Sequence, residues 1–141
     1  MERGVLLCVD DEIVILDALK TLLRKNYKMQ HLIEAAQSAE EGLEILDDLS
    51  TDGYVPLVII SDWLMPGMKG DEFLIEAHKR FPYVIKVMLS GQASSEAVEK
   101  TKAEANLYQF ISKPWSSREL LTCIDSGLEE YRQSKKDKVY G

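Results

Sequence analysis

The sequence predicts an α/β fold: a five-stranded parallel sheet with helices on both faces. Three observations carry this. Short apolar runs alternate with amphipathic stretches five times along the 141 residues. The runs at 5–9 and 56–61 are nearly continuous apolar segments with β-branched residues, as suits strands covered on both sides. No internal repeat, low-complexity segment or second domain interrupts the alternation.

Each element has its own local reason. Residues 5–9 form the first strand, running into Asp10, Asp11 and Glu12. Residues 13–24 place Ile15, Leu16, Leu19, Leu22 and Leu23 at helical spacing on one side. Residues 28–35 read as a weaker strand. Ser38 opens the second helix, with Glu41 completing a capping box and Leu43, Ile45 and Leu46 on its inner side. Residues 56–61 are the third strand, and 71–80 a helix with Phe73, Leu74 and Ala77 facing inward. The fourth strand spans 84–90. Ser94 or Ser95 caps the fourth helix, which reaches about Ala105, and Asn106 supplies a left-handed residue at its end. Residues 107–112 are the fifth strand, and Ser116 with Glu119 caps a helix running to about Arg132. Right-handed crossovers leave few topologies, of which the flavodoxin-like order 2-1-3-4-5 is the natural one.

Composition excludes several classes. A net charge of -7 argues against a nucleic-acid-binding surface, which needs a basic face. Cys8 and Cys123 lie far apart in apolar patterns, make no metal-ligand set, and read as reduced thiols of a cytoplasmic protein. No apolar run approaches the roughly 20 residues of a membrane span, and the N-terminus is too poor in apolar residues for a signal peptide.

In such sheets the ligand site lies beyond the carboxyl ends of the strands. Strand one ends at Asp10 and Asp11, strand three at Asp62, strand four at Ser90 and strand five at Lys113-Pro114. Singly, each has a bland reading: acids complementing a helix dipole, a turn-initiating aspartate, a turn serine, a solvated lysine. Together they place three carboxylates, a hydroxyl and an ammonium on one edge. Three clustered carboxylates cannot all stay ionised without a cation, and hard oxygen donors suit magnesium better than zinc. An aspartate oxygen beside a cation and a lysine can act as a nucleophile toward phosphorus, giving an acyl phosphate.

The segments LLCVDDE, VIISDWLMPGMKGDEFL, VMLSGQ and YQFISKPW, in this order and spacing, resemble the receiver domain of two-component response regulators. The resemblance covers residues 4–132. It implies a regulatory phosphoacceptor, not an enzyme, with Asp62 taking a phosphoryl group from a histidine kinase, a phosphotransfer protein or a small donor. Asp11 would bind Mg2+ directly and Asp10 through water, with Asp62 and the Leu64 backbone carbonyl completing the protein ligands. Lys113 would bridge Asp62 and later the phosphoryl oxygen, its bond to Pro114 cis. Ser90 and the Gly91 N–H would contact the phosphoryl group, and Ser90 with Phe110 would form the switch. Leu64 and Gln92 would border the approach of hydrolytic water and set the acyl phosphate's lifetime. The surface made by the fourth helix, fifth strand and fifth helix would repack, and can also form a homodimer.

Two departures stand out. Phe110 lacks the hydroxyl of the tyrosine often found there, and is otherwise a plain core aromatic. Ser90 replaces threonine, keeping the donor without the methyl. Trp63 and Trp115 flank the site, as packing residues or, for Trp63, as a fluorescent reporter. Rival readings are a metal-dependent phosphatase with an aspartyl-phosphate intermediate, which ordinarily has an acid where Leu64 stands, and a receiver-like binding module used without phosphorylation. Nucleotide binding on the same fold lacks a glycine-rich phosphate loop. Residues 133–141 are either a flexible tail or the start of a linker to an output domain.

Overall fold

The computed structural model describes residues 3–140. Elements follow in the order β1 (Arg3–Val9), α1 (Ile13–Tyr27), β2 (His31–Ala36), α2 (Ala39–Thr51), β3 (Tyr54–Ser61), α3 (Gly70–Arg80), β4 (Ile85–Ser90), α4 (Ser95–Ala105), β5 (Gln109–Ser112) and α5 (Ser117–Tyr140). All strand pairs are parallel and the sheet order is β2-β1-β3-β4-β5, the flavodoxin-like topology.

Strand alternation divides the core into two layers. Leu6 and Cys8 of β1 and Val58 and Ile60 of β3 face α1 and α5, packing against Leu19, Leu23, Leu120 and Ile124. Leu7, Val9 and Ile59 face the opposite way, onto Leu46, Phe73, Leu74 and Ala77 of α2 and α3. Both faces of the central strands are dry, which is why their sequence is apolar at consecutive positions.

The helix caps settle the choices left by sequence. Ser38 Oγ accepts from the Glu41 N–H at 3.1 Å, Ser94 rather than Ser95 caps α4 through the Ala97 N–H at 3.1 Å, and Ser116 Oγ accepts from Glu119 N–H at 3.0 Å. Asn106 closes α4 in the left-handed region, with φ of 54°.

Strands β1 and β3 begin two residues earlier than expected and β5 two later; the larger differences are at the ends of α1 and α5, each for a nonlocal or surface reason. Helix α1 runs through Tyr27, so β2 starts at His31 and not at 28. Tyr27 is buried and its hydroxyl donates to Asp125 Oδ1 of α5 at 2.6 Å, a contact that holds the last turn of α1 against the core. Helix α5 continues past Arg132 to Tyr140, beyond the apolar stripe. Side-chain pairs support its extension: Arg132 and Gln133 bind Glu129, and the Lys135 ammonium lies 5.9 Å from the centroid of the Tyr131 ring. Gly141 lies outside the described residues. Among the described residues no helix is long and apolar enough to cross a membrane.

Candidate functional site

The strand register delivers the site residues to one edge. Val9 pairs with Ser61, Ser61 with Met88, and Ser90 with Ser112, so Asp10, Asp62, Ser90 and Lys113 leave neighbouring strands at one level. The Asp62 N–H donates to Val9 O at 3.0 Å and the Lys113 N–H to Ser90 O at 3.2 Å, extending the ladders across the strand ends. The Lys113-Pro114 peptide is cis.

The segment after β3 must turn sharply to begin α3 beside the carboxylate it has just delivered. Gly67 takes φ of 81°, which an L side chain rarely adopts. The Gly70 N–H donates to Trp63 O at 2.7 Å, and a Cβ at Gly70 would collide with the Asp62 carbonyl oxygen. The two glycines thus let α3 start against the backbone of Asp62.

Asp10, Asp11 and Asp62 each offer a carboxylate oxygen, and these atoms lie within 4.8 Å of one another. Asp10 is 1% exposed and Asp62 6% exposed, while Asp11 is open to solvent. Lys113 Nζ lies 2.8 Å from Asp10 Oδ2 and 3.4 Å from Asp62 Oδ2. Its nearer partner is therefore Asp10, with Asp62 second. Burial raises the pKa of Asp10 despite the Lys113 ammonium and the Glu12 N–H at 2.9 Å, which both favour its charged form. Burial works against the Lys113 charge, but the hydrogen bond and charge of Asp10, joined by Asp62, outweigh it and raise its pKa. Such a set of hard oxygen donors with surplus negative charge fits a divalent cation of the magnesium kind.

A cleft of about 530 Å³ opens above this cluster. Asp11, Asp62 and Lys113 line it, with Ser90, Gly91 and Gln92 on one wall and Leu64, Met65 and Pro66 on another. Asp10 lies beneath the floor and reaches the cleft through its ion pair. Ser90 is buried, and its Oγ accepts from the Gln92 N–H at 3.2 Å. Leu64 is 44% exposed on the rim. Phe110 is half-buried on the side of the sheet that carries α2, α3 and α4. Glu12, Met65 and Pro66 also line the cleft and were not expected as site residues; none carries a signal beyond its position near a named residue.

Residues 6–125 match the response regulator receiver domain. The chain belongs to this family. Receiver domains are regulatory parts of two-component signalling systems. The chain is 30% identical over 139 residues to the hydrogenase transcriptional regulatory protein HoxA of Bradyrhizobium diazoefficiens, a match covering 99% of this chain and 27% of that regulator. It thus spans about a quarter of the length of the curated relatives it matches first. Among solved structures, the signal receiver domain of an HD domain-containing protein from Pseudomonas fluorescens Pf-5 superposes with a TM-score of 0.82 at 26% identity, covering 94% of this chain and 99% of that one. A CheY-like response regulator receiver domain protein from Methanospirillum hungatei JF-1 gives 0.81 at 30% identity, covering 95% and 99%.

Proposed function

We propose that this receiver domain is a phosphorylation-activated switch with Asp62 as its phosphoacceptor. The observation that carries the reading is the convergence of three carboxylates within 4.8 Å of one another, with the Lys113 ammonium against two of them, at the floor of an open cleft. Asp62 is the only one of the three that both lines the cleft and contacts the lysine.

An Asp62 carboxylate oxygen attacks the phosphorus of a phosphohistidine on a histidine kinase or phosphotransfer protein. The P–O bond forms as the P–N bond breaks, and the imidazole leaves with the electron pair and takes up a proton. Asp10, Asp11, Asp62 and the Leu64 carbonyl would hold Mg2+, whose chemistry is to neutralise the charge of the entering phosphoryl group. Lys113 supplies the second positive charge. Ser90 and Gly91 line the cleft, which supports reading the Ser90 hydroxyl and the Gly91 N–H as donors to phosphoryl oxygens.

Phosphorylation adds about 1.5–2 negative charges and strong acceptor oxygens. Turning Ser90 toward them releases the Gln92 N–H, and Phe110 moves inward to repack the α4-β5-α5 surface. Reversing a 99:1 preference takes ~5.5 kcal/mol, within reach of a few charge-assisted hydrogen bonds at ~1.5–3 kcal/mol each. That surface is the proposed homodimer contact of the phosphorylated form. Leu64 and Gln92, on the rim, set the access of hydrolytic water. The helical course of residues 133–140 favours the linker reading, with residues 4–132 as the receiver and an output domain following.

Incubation with Mg2+ and acetyl phosphate or a phosphorylated kinase, followed by intact mass, tests the assignment. The wild type gains one phosphoryl group, and Asp62→Asn gains none.

A further inference from the structure

Asp71 stands in the first turn of α3, where an acid ordinarily faces solvent and complements the helix dipole. Here it is only 7% exposed, and its two oxygens have separate partners. Oδ1 accepts from the Trp63 indole Nε1 at 3.2 Å, and Oδ2 pairs with Lys100 Nζ of α4 at 3.5 Å. Trp63 follows the phosphoacceptor directly, and its main-chain N–H donates to Asp62 Oδ1 at 2.8 Å. Lys69 Nζ lies over the same ring, 5.2 Å from its centroid. Polar contacts therefore link Asp62 to the Trp63 main chain and the Trp63 indole to Asp71 and on to Lys100, joined through the covalent frame of Trp63. Neither Ser90 nor Phe110 takes part in them.

We propose that Asp71 is a positioning residue that couples the Asp62 carboxylate to helix α4, by way of the Trp63 indole on one side and the Lys100 ammonium on the other. This rests on Asp62 being the phosphoacceptor. Conversion of Asp62 to an acyl phosphate moves negative charge from the carboxyl oxygens to the phosphoryl group. The Trp63 N–H then loses a charged acceptor, and hydrogen bonds to charged groups are roughly twice as strong as neutral ones. The Trp63 peptide loosens, the indole shifts against Asp71, and the grip of Asp71 on Lys100 weakens with it. Helix α4 thus senses the chemistry at Asp62 by a polar route alongside the Ser90–Phe110 packing route. The Lys100 side chain is 45% exposed, so the pair is a weak latch whose loss shifts an equilibrium without unfolding the domain.

The test uses the full chain carrying Trp115→Phe, which leaves Trp63 as its one tryptophan. Beryllofluoride with Mg2+ stands in for the phosphoryl group, its binding followed by fluorine-19 NMR and its transmission by Trp63 fluorescence. Lys100→Met removes a contact of the unphosphorylated arrangement, so beryllofluoride binds roughly two- to fivefold more tightly. Lys100→Arg restores the parent affinity. Asp71→Asn reduces the Trp63 response on binding, and in that background Lys100→Met has no further effect. Lys100→Met binding like the parent, or acting equally with and without Asp71, overturns the relay. If Asp71→Asn fails to fold, the Lys100→Met and Lys100→Arg pair decides alone. Failure of the parent itself to bind beryllofluoride overturns the phosphoacceptor reading and this proposal with it; a parent that binds while its variants stay silent overturns the relay only.

Discussion

Lys113 donates to Asp10 across 103 residues of sequence, Nζ to Oδ2 at 2.8 Å, and makes its longer contact, 3.4 Å, to Asp62. The lysine is thus held first by a buried acid that does not line the cleft. In the proposed switch, an incoming phosphoryl oxygen competes with Asp10 for this ammonium.

Replacing the lysine separates its structural and signalling roles. Lys113→Ala still accepts a phosphoryl group, because the nucleophile and the acids remain, but its conformational response is blunted. Removing the partner of a nearly buried acid also lowers stability by about 1–3 kcal/mol in metal-free urea melts at neutral pH. Phosphorylation by intact mass and chemical-shift changes on beryllofluoride addition measure the two roles. A full conformational response in the variant would give the switch to other residues.

Gly70 meets its limit in the Asp62 carbonyl oxygen, not in its own φ. Gly70→Ala forces α3 away from the β3 end and costs about 2–3 kcal/mol, with Asp62 displaced and phosphorylation slowed. Ala at Gly53 meets nothing within 4 Å, so the penalty there comes from its φ of 92° alone. Urea midpoints of the two variants, with acetyl phosphate labelling rates, distinguish local strain from damage to the site.

Lys86 is 1% exposed in β4, and its ammonium donates to Val84 O at 2.7 Å. Burial lowers its pKa to about 8 from 10.5. Between those values the unfolded chain holds the proton and the folded chain does not, so stability rises with pH across that window. Below about 8 the whole penalty is present, an upper bound of about 3–4 kcal/mol at 1.36 kcal/mol per unit. Lys86→Met is expected to stabilise the domain by about 1–3 kcal/mol at pH 7 and to flatten the rise toward pH 10. Denaturant titrations at pH 7 and 9.5 provide the check.

The edge that carries the candidate site was legible because each acid, hydroxyl or ammonium ends an apolar run, and strand order then forces those ends together. Caps were legible for the same local reason: Ser38, Ser94 and Ser116 act on N–H groups three residues away. What escaped depends on distant partners. Tyr27 extends α1 because Asp125, 98 residues on, accepts its hydroxyl. Asp71 reads as an ordinary first-turn acid until α3 and α4 pack and bring Lys100 to it. Lys86 sits between Ile85 and Val87 in a strand, where alternation alone suggests an outward side chain; the helices on that face bury it.

Borohydride trapping locates the phosphoryl group most directly. After incubation with Mg2+ and a phosphodonor, reduction converts an acyl phosphate to an alcohol, and tandem mass spectrometry reads its position. If Asp62 is the phosphoacceptor, homoserine appears at position 62 in the wild type and no reduced residue appears in Asp62→Asn. Homoserine at position 10 or 11, or no homoserine anywhere in a protein that has gained a phosphoryl group, would contradict this assignment.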